Sequence, residues 1–308
     1  MKKPLKITII MLTMFLITQL IGLYVVNFYL SPETTMPYGF DEQKEIEKTS
    51  GFYSQFLVSL IISFAIAIFL VFMLMKIKSL WFIRGWFFIV ISLALGLTIN
   101  VLTTKLNLVY PSLFALLIGI LLAYMKVFQK NILVHNFTEL LIYPGIAAIF
   151  VGMLNIWTIV ILLLLISIYD MWAVWHTGIM IKMAKYQINN VGFLGGFMIP
   201  YASKKIKDKI ALLKLKYRDH NIPQTIIKKH KIKIGLAILG GGDVIFPIIA
   251  AGVFLKTFGL IPALIVTLFA TLALLGLFIF GDKKKAYPAM PYLTAGIYLG
   301  MIIARLIV

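Results

Sequence analysis

Residues 162–175 read LLLLISIYDMWAVW, and residues 234–252 read IGLAILGGGDVIFPIIAAG. Each stretch is a long apolar run that contains a single acidic residue, Asp170 in the first and Asp243 in the second. An ionisable side chain near the centre of a bilayer costs at least about 2.5 kcal/mol, so an acid in such a run is a functional candidate by default. The rest of the chain is therefore interpreted around these two aspartates.

The composition indicates that lipid is the solvent of this chain. Of its 308 residues, 61% are hydrophobic and 13% are charged, whereas a soluble domain is about 45–50% apolar and about 25% charged. Backbone polar groups in lipid must be satisfied internally, which leaves helices or a closed barrel. The apolar runs are about twenty residues long, the length that a helix needs to cross a bilayer. We therefore expect an all-α, polytopic membrane protein.

Nine apolar segments are predicted to span the membrane. The fifth is short and is interrupted by Pro144-Gly145, and the ninth begins with Pro288 and Pro291. The first is too long for a signal peptide and is followed by no small-residue cleavage site, so we interpret it as a span. The segments lie near residues 7–30, 53–76, 80–101, 108–127, 138–154, 157–181, 234–255, 259–280 and 287–308.

The distribution of charge predicts the orientation and the domains. Most of the 29 Lys and Arg residues, Lys126 and Lys130 among them, fall on one side if the N-terminus is cytosolic and the C-terminus is outside. The net charge of +18 is thus explained by loops that flank spans, and no nucleic-acid partner is expected. The chain has no Cys, which excludes disulfides and thiolate chemistry. The predicted parts are a six-span scaffold with the first aspartate, a basic cytosolic loop and a three-span part with the second aspartate, at residues 1–182, 183–233 and 234–308.

The positions of the two aspartates suggest a joint function. Counted along helices from the inner face, Asp170 and Asp243 would lie roughly 16 and 14 Å deep, so antiparallel neighbours would bring both to one level. One isolated acid could be a packing contact, but two at matched depth favour a pair that shares a proton. Such a pair can activate water with one carboxylate and protonate a scissile carbonyl with the other.

Short motifs surround the aspartates. Gly240-Gly241-Gly242 precedes Asp243 and removes side-chain bulk where another backbone could approach, although a helix-packing face would also explain it. Pro288-Ala289-Met290-Pro291 breaks helical pairing at the start of the ninth segment, although a helix start would also explain it. If an unwound substrate is bound there, residues 288–290 should lie within about 10 Å of one aspartate side chain, an allowance for one intervening strand.

Together these motifs resemble a known family. Tyr169-Asp170, Gly240-Gly241-Gly242-Asp243 and Pro288-Ala289-Met290 are similar, in that order, to the YD, GxGD and PAL motifs of the presenilin/signal peptide peptidase family of intramembrane aspartyl proteases. The chain looks closest to archaeal presenilin-like members. It departs from the family at Met290, where Leu is usual, and at Gly241, where a bulkier residue is common and whose small size could loosen substrate discrimination.

The resemblance implies a function and a set of site residues. It implies hydrolysis of peptide bonds within single-span transmembrane proteins or signal-peptide remnants, in a prokaryotic cell membrane, without metal or organic cofactor, by a chain that could form a homo-oligomer. The catalytic residues would be Asp170 and Asp243. The substrate-binding residues would be Tyr169, Gly240, Gly241, Gly242, Pro288, Ala289 and Met290.

Several alternatives stay open on the sequence alone. A prepilin-type peptidase also uses a GxGD aspartate, but it carries a basic residue where this chain has Ile245, and it lacks a PAL motif. A proton- or cation-coupled transporter and a non-catalytic interaction protein could also contain buried aspartates. His135 and Glu139 lie one helical turn apart and could be metal ligands, although a polar helix start explains them better.

Overall fold

Helices dominate the computed structural model, which describes residues 5–40, 50–77, 80–129, 131–177, 187, 195–201, 235–281 and 287–307. Within these residues the chain forms nine α-helices and one antiparallel β-hairpin. The elements are α1 (Leu5–Leu30), α2 (Ser50–Ile77), α3 (Leu80–Lys105), α4 (Pro111–Phe128), α5 (Ile132–Met153), α6 (Ile156–Trp172), a π-helical turn (Ala173–Thr177), β1 (Gly196–Tyr201), β2 (Gly235–Gly240), α7 (Gly241–Phe258), α8 (Leu260–Phe280) and α9 (Met290–Ile307).

The predicted helical membrane architecture is confirmed. Eight helices of the described part, α1 and α3 to α9, are long and apolar enough to cross a membrane. Many large apolar side chains on their outer faces are exposed, such as Trp81, Leu133 and Phe280. A soluble monomer rarely exposes so much contiguous apolar surface, whereas a lipid-facing surface requires it. In α2 the described residues form an apolar helix only over Gly51–Ser63, which is shorter than the other eight. The number of nine spans therefore stays a prediction, and so does the orientation.

The seventh segment is not one continuous helix, which corrects the interpretation of residues 234–255. Residues Gly235–Gly240 form strand β2, and helix α7 begins only at Gly241. Strand β2 pairs with β1 from Gly196↔Gly240 to Tyr201↔Gly235. The estimate that placed Asp243 roughly 14 Å along a helix is therefore wrong, because Asp243 is the third residue of α7.

The hairpin also changes the interpretation of the region predicted to be a basic cytosolic loop. Strand β1 (Gly196–Tyr201) lies within the predicted loop 183–233, and Phe197 on this strand is fully buried in the core. Residues 183–186, 188–194 and 202–233 of that loop lie outside the described residues.

The fifth helix begins earlier than its apolar pattern predicts. The prediction began near residue 138, but α5 starts at Ile132, where the Asn131 side chain accepts a backbone N–H and caps the helix. His135 and Glu139 therefore lie inside α5, and both are buried. Polar residues that interrupt an apolar pattern can belong to a buried helix when another helix supplies their partners.

The core of the bundle is built around α1, α5 and α7. Helix α1 packs against α5, α7 and α8, α3 packs against α4 and α5, and α9 packs against α6 and α8. The crossing of α3 and α5 is especially close at Gly145, where a Cβ atom would lie 2.1 Å from the carbonyl oxygen of Ala94. Small residues at such crossings let helix backbones approach in lipid, where packing contacts rather than the hydrophobic effect hold helices together.

We expect Gly145→Ala to lower the free energy of unfolding in detergent by about 1–3 kcal/mol, the usual cost of overpacking. The methyl group would force α3 and α5 apart, because Ala94 contributes backbone at this contact. Gly152→Ala on the same helix is the matched control, since a Cβ there meets open space. Equal unfolding midpoints for the two variants in a detergent titration would contradict the close crossing.

Candidate active site

Asp170 lies at the C-terminal end of α6, where the α-helix passes into the π-helical turn. Its side chain is buried, and its Oδ2 accepts a hydrogen bond from the backbone N–H of Met290 at 3.0 Å. The backbone of Ala289 makes a second hydrogen bond to the same carboxyl. The first N–H groups of a helix have no partner within the helix, so the start of α9 offers free donors to this acid. The predicted proximity of residues 288–290 to one aspartate is confirmed.

Two side-chain hydrogen bonds fix α9 against α6 below this contact. The Ser167 hydroxyl donates to Thr294 Oγ1 at 2.7 Å, and the Tyr298 hydroxyl donates to the Val160 carbonyl at 2.6 Å. Together with the Met290–Asp170 contact, they form three successive polar contacts between two antiparallel helices. Because hydroxyl groups in lipid need partners, this arrangement defines the register of α9 on α6.

Asp243 lies in the first turn of α7 and is also buried. Gly240 is the N-cap residue of this helix, and its backbone makes a hydrogen bond with the Asp243 carboxyl. An acid three residues after the N-cap commonly reaches back to the N-cap N–H in this way. The Asp170 carboxyl interacts electrostatically with Asp243, and α6 contacts α7. The structure thus brings together the two aspartates that the sequence singled out; their Cα separation of about 12 Å or less stays a prediction.

Contacts from two other parts of the chain hold the start of α7. The Gly241 N–H donates to the Gly195 carbonyl at 3.2 Å, which extends the hairpin into the helix. On α1, the buried Gln19 side chain donates to the Val244 carbonyl at 3.0 Å. Asp243 is therefore bracketed by backbone contacts on both sides in sequence, which limits the movement of its carboxyl.

Gly241 has a steric role that the sequence did not reveal. A Cβ atom at this position would lie 2.8 Å from the hydroxyl oxygen and 3.0 Å from Cε1 of Tyr143 on α5. The Tyr143 ring is buried and packs edge-on against Phe197 of β1, with the ring centroids 6.1 Å apart. Tyr143 thus occupies the space that a side chain at residue 241 would need.

The other residues predicted for the site surround the two acids less directly. Tyr169 is half-buried and packs against Trp172, with the ring centroids 6.5 Å apart. Gly242 has room for a methyl group, which would meet Phe246 at an ordinary distance of 3.7 Å. Pro288 is buried just before α9. The exposed His176 lies in the π-helical turn.

Sequence reasoning missed a third buried charged group. Lys126, counted among the inner-face charges, is buried in α4 and forms an ion pair with Glu139. Its amino group also lies 3.2 Å from Nδ1 of His135. His135 and Glu139 thus bond to a lysine, and within the described residues no cluster of metal-ligating side chains occurs. The sequence contained one signal for this ion pair: an acid follows a histidine by one helical turn, and a lysine precedes both in the chain.

Comparisons with known proteins agree on one family. The family model for signal-peptide peptidase and presenilin aspartyl protease matches residues 12–308. A presenilin family intramembrane aspartate protease solved in space group C222 superposes with a TM-score of 0.60 at 17% identity, covering 98% of this chain and 99% of that one. A second such structure, in space group P2, gives a TM-score of 0.57 at 17% identity, with 97% of each chain covered. At this identity the structural likeness shows the fold. No curated protein sequence matches significantly.

The contact between Tyr143 and Gly241 can be tested by stability. We expect Gly241→Ala to lower the free energy of unfolding by about 1–3 kcal/mol, because the ring of Tyr143 must move. Gly242→Ala is the control, since its methyl group would meet only an ordinary contact. Adding Tyr143→Phe to Gly241→Ala should recover part of the loss, because the nearest clashing atom is removed. Thermal unfolding in detergent is measured for the wild type, these three variants and Tyr143→Phe alone; strictly additive effects of the two changes would contradict the contact.

Proposed function

Because the chain belongs to the signal-peptide peptidase and presenilin aspartyl protease family and is an intramembrane aspartyl protease, we propose that Asp170 and Asp243 are its catalytic carboxyls. The observation that carries this proposal is the meeting of two buried acids from α6 and α7 inside an apolar bundle. Each acid also receives backbone hydrogen bonds from a helix start, which gives both carboxyls a fixed direction. The family match favours this function over a transporter or a prepilin-type peptidase.

The proposed reaction uses one proton shared between the two acids. The charged carboxylate takes a proton from a water molecule, whose oxygen attacks the carbonyl carbon of the scissile bond. The protonated carboxyl donates to the carbonyl oxygen, so a neutral tetrahedral intermediate forms. The carboxyl that took the water proton then protonates the amide nitrogen, while the other carboxylate takes a hydroxyl proton from the intermediate. The C–N bond breaks, and a carboxylic acid and an amine are released. Either aspartate can begin as the base.

The open edge of β2 is proposed to hold the unwound substrate. In the β1–β2 ladder, Gly241 bonds to Gly195, so the alternation of antiparallel pairing directs the N–H and C=O groups of Leu236 and Ile238 away from β1. Within the described residues the sheet has two strands, which leaves this edge without a strand partner. An extended peptide can add to such an edge through main-chain hydrogen bonds. The edge leads directly to Asp243, so a strand added to it would lie near the acids.

The remaining motif residues are assigned supporting roles in this proposal. Pro288 keeps the chain out of a helix before α9, which leaves the N–H groups of Ala289 and Met290 free for Asp170. These residues, together with Tyr169 and the glycine segment Gly240–Gly242, would border the substrate strand. The Leu-to-Met departure from the family motif is tolerated here because Met290 contributes its backbone N–H to the contact.

The protein is an integral multi-pass membrane protein that acts on transmembrane segments within the bilayer. We further propose single-span proteins or signal-peptide remnants as substrates, a prokaryotic cell membrane as the location, and a cytosolic N-terminus with nine spans. The uneven distribution of Lys and Arg supports this orientation. A homo-oligomer is compatible with the extensive exposed apolar surface.

Replacing either acid tests the catalytic assignment. Asp170→Asn and Asp243→Asn should each reduce cleavage of a model transmembrane substrate by at least about 100-fold, because an amide can neither take up nor release the shared proton. Mass spectrometry of the products in liposomes measures the rate. The thermal unfolding midpoint serves as the control for folding. Cleavage at the wild-type rate by either variant would exclude that residue from the reaction.

Replacing Ile238 tests the proposed substrate edge. Ile238→Pro should lower kcat/KM by about 10-fold, since it removes one N–H offered to the substrate, a bond worth about 0.5–1.5 kcal/mol. The β1 ladder should survive, because Pro200 already occupies a similar outward-facing position on β1. Ile238→Ala is the matched control, because it keeps the N–H and loses only the side chain. If the proline variant cleaves as fast as the alanine variant, the substrate does not bind at this edge.

A further inference from the structure

A buried charged cluster lies on the side of β1 opposite β2. It consists of Lys126 from α4 with His135 and Glu139 from α5, and each of the three side chains is at most 4% exposed. Lys126 forms an ion pair with Glu139 and contacts His135 Nδ1 at 3.2 Å. Burying such a pair generally costs more than burying apolar residues of the same size, so stability alone does not account for it.

The hydrogen bonds of His135 determine which of its nitrogens carries the proton. Its Nε2 lies 2.8 Å from the Gly196 carbonyl oxygen, which can only accept, so Nε2 is the donor. Its Nδ1 then accepts a hydrogen bond from the Lys126 ammonium group. Lys126, held in turn by Glu139, therefore selects the tautomer of His135 that can bond to the strand.

Strand β1, which His135 contacts, is connected to Asp243 through one residue pair of the β1–β2 ladder. Gly196, whose carbonyl accepts a hydrogen bond from His135 Nε2, is paired across the hairpin with Gly240. Gly240 is the N-cap residue of α7, and its backbone bonds to the Asp243 carboxyl. The next residue on α5, Asn136, bonds to both the N–H and the C=O of Met198 on β1, at 3.0 and 2.9 Å. The outer edge of β1 is thus bonded to α5 at two points, and the site lies just across the hairpin.

We propose that His135 is a positioning residue of the protease, oriented by Lys126 and Glu139. It holds Gly196, and through the hairpin pair with Gly240 it fixes the direction of the Asp243 carboxyl. This inference rests on the proposed function of Asp243. It assigns no contact between His135 and the substrate, because β1 lies between them and the open edge of β2.

Three substitutions of His135 separate this role from general packing. In His135→Gln the amide nitrogen reaches the position of Nε2 and can still donate to Gly196, whereas in His135→Asn it reaches only the position of Nδ1. His135→Leu removes both contacts. We expect kcat within about 3-fold of wild type for Gln, and a loss of about 10-fold or more for Asn and Leu with KM little changed, because a small misplacement of a catalytic group is costly.

A second measurement does not depend on cleavage. Hydrogen exchange of the backbone amides in residues 196–201 and 235–240 should be faster in the Asn and Leu variants than in the Gln variant and wild type, because the bond to β1 is lost. The two polar variants, Gln and Asn, keep the test informative even if the Leu variant does not fold.

The outcomes distinguish this inference from the proposed function. Equal kcat and equal exchange rates in the Gln and Asn variants would overturn the positioning role. A loss of kcat that parallels the fall in unfolding midpoint across all three variants would overturn it as well. If the wild-type protein cleaves no transmembrane substrate, the proposed function fails. In that case the exchange rates alone decide whether His135 holds the hairpin. Faster exchange in the Asn variant than in the Gln variant would support this contact.

Discussion

The hydrogen bond from the Met290 N–H to the Asp170 carboxyl is the contact on which the arrangement of the site depends. A carboxyl buried in a lipid-embedded bundle needs donors, and the free N–H groups at a helix start are the donors that an all-helical membrane protein has available. Asp170 uses the start of α9, and Asp243 uses the start of α7 through Gly240. Both α9 and α7 must therefore begin inside the bundle, next to the acids.

This requirement explains the irregular backbone around the site. A helix that starts inside the bundle must be preceded by a chain that is not helical, and that chain still needs partners for its backbone groups in lipid. Before α7 the β-hairpin supplies these partners, because β2 pairs with β1. On its other edge, β1 forms hydrogen bonds with side chains of α5. Before α9 the buried Pro288 has no N–H to satisfy. The irregular segments thus lie directly beside the two acids proposed to be catalytic.

Much of the fold could be predicted from the sequence because apolar length is a strong signal in lipid. Every predicted span contains an observed helix, and the two acids stood out because charge is rare in such runs. The signal failed at Gly235–Gly240, since a short apolar run reads equally as a buried strand or as part of a helix. It also failed at the start of α5, where the polar residues His135 and Asn136 make a helical segment look like a loop.

The membrane class, the family resemblance and the identity of the two acids could be inferred from the sequence alone, because they follow from composition and from motifs that are local in the chain. The groups that surround the acids could be identified only in the folded structure. That Met290 bonds to Asp170, that Tyr143 fills the space beside Gly241, and that His135 reaches Gly196 all depend on contacts between residues far apart in sequence. No local pattern encodes such contacts, since they are fixed by how whole helices pack against one another.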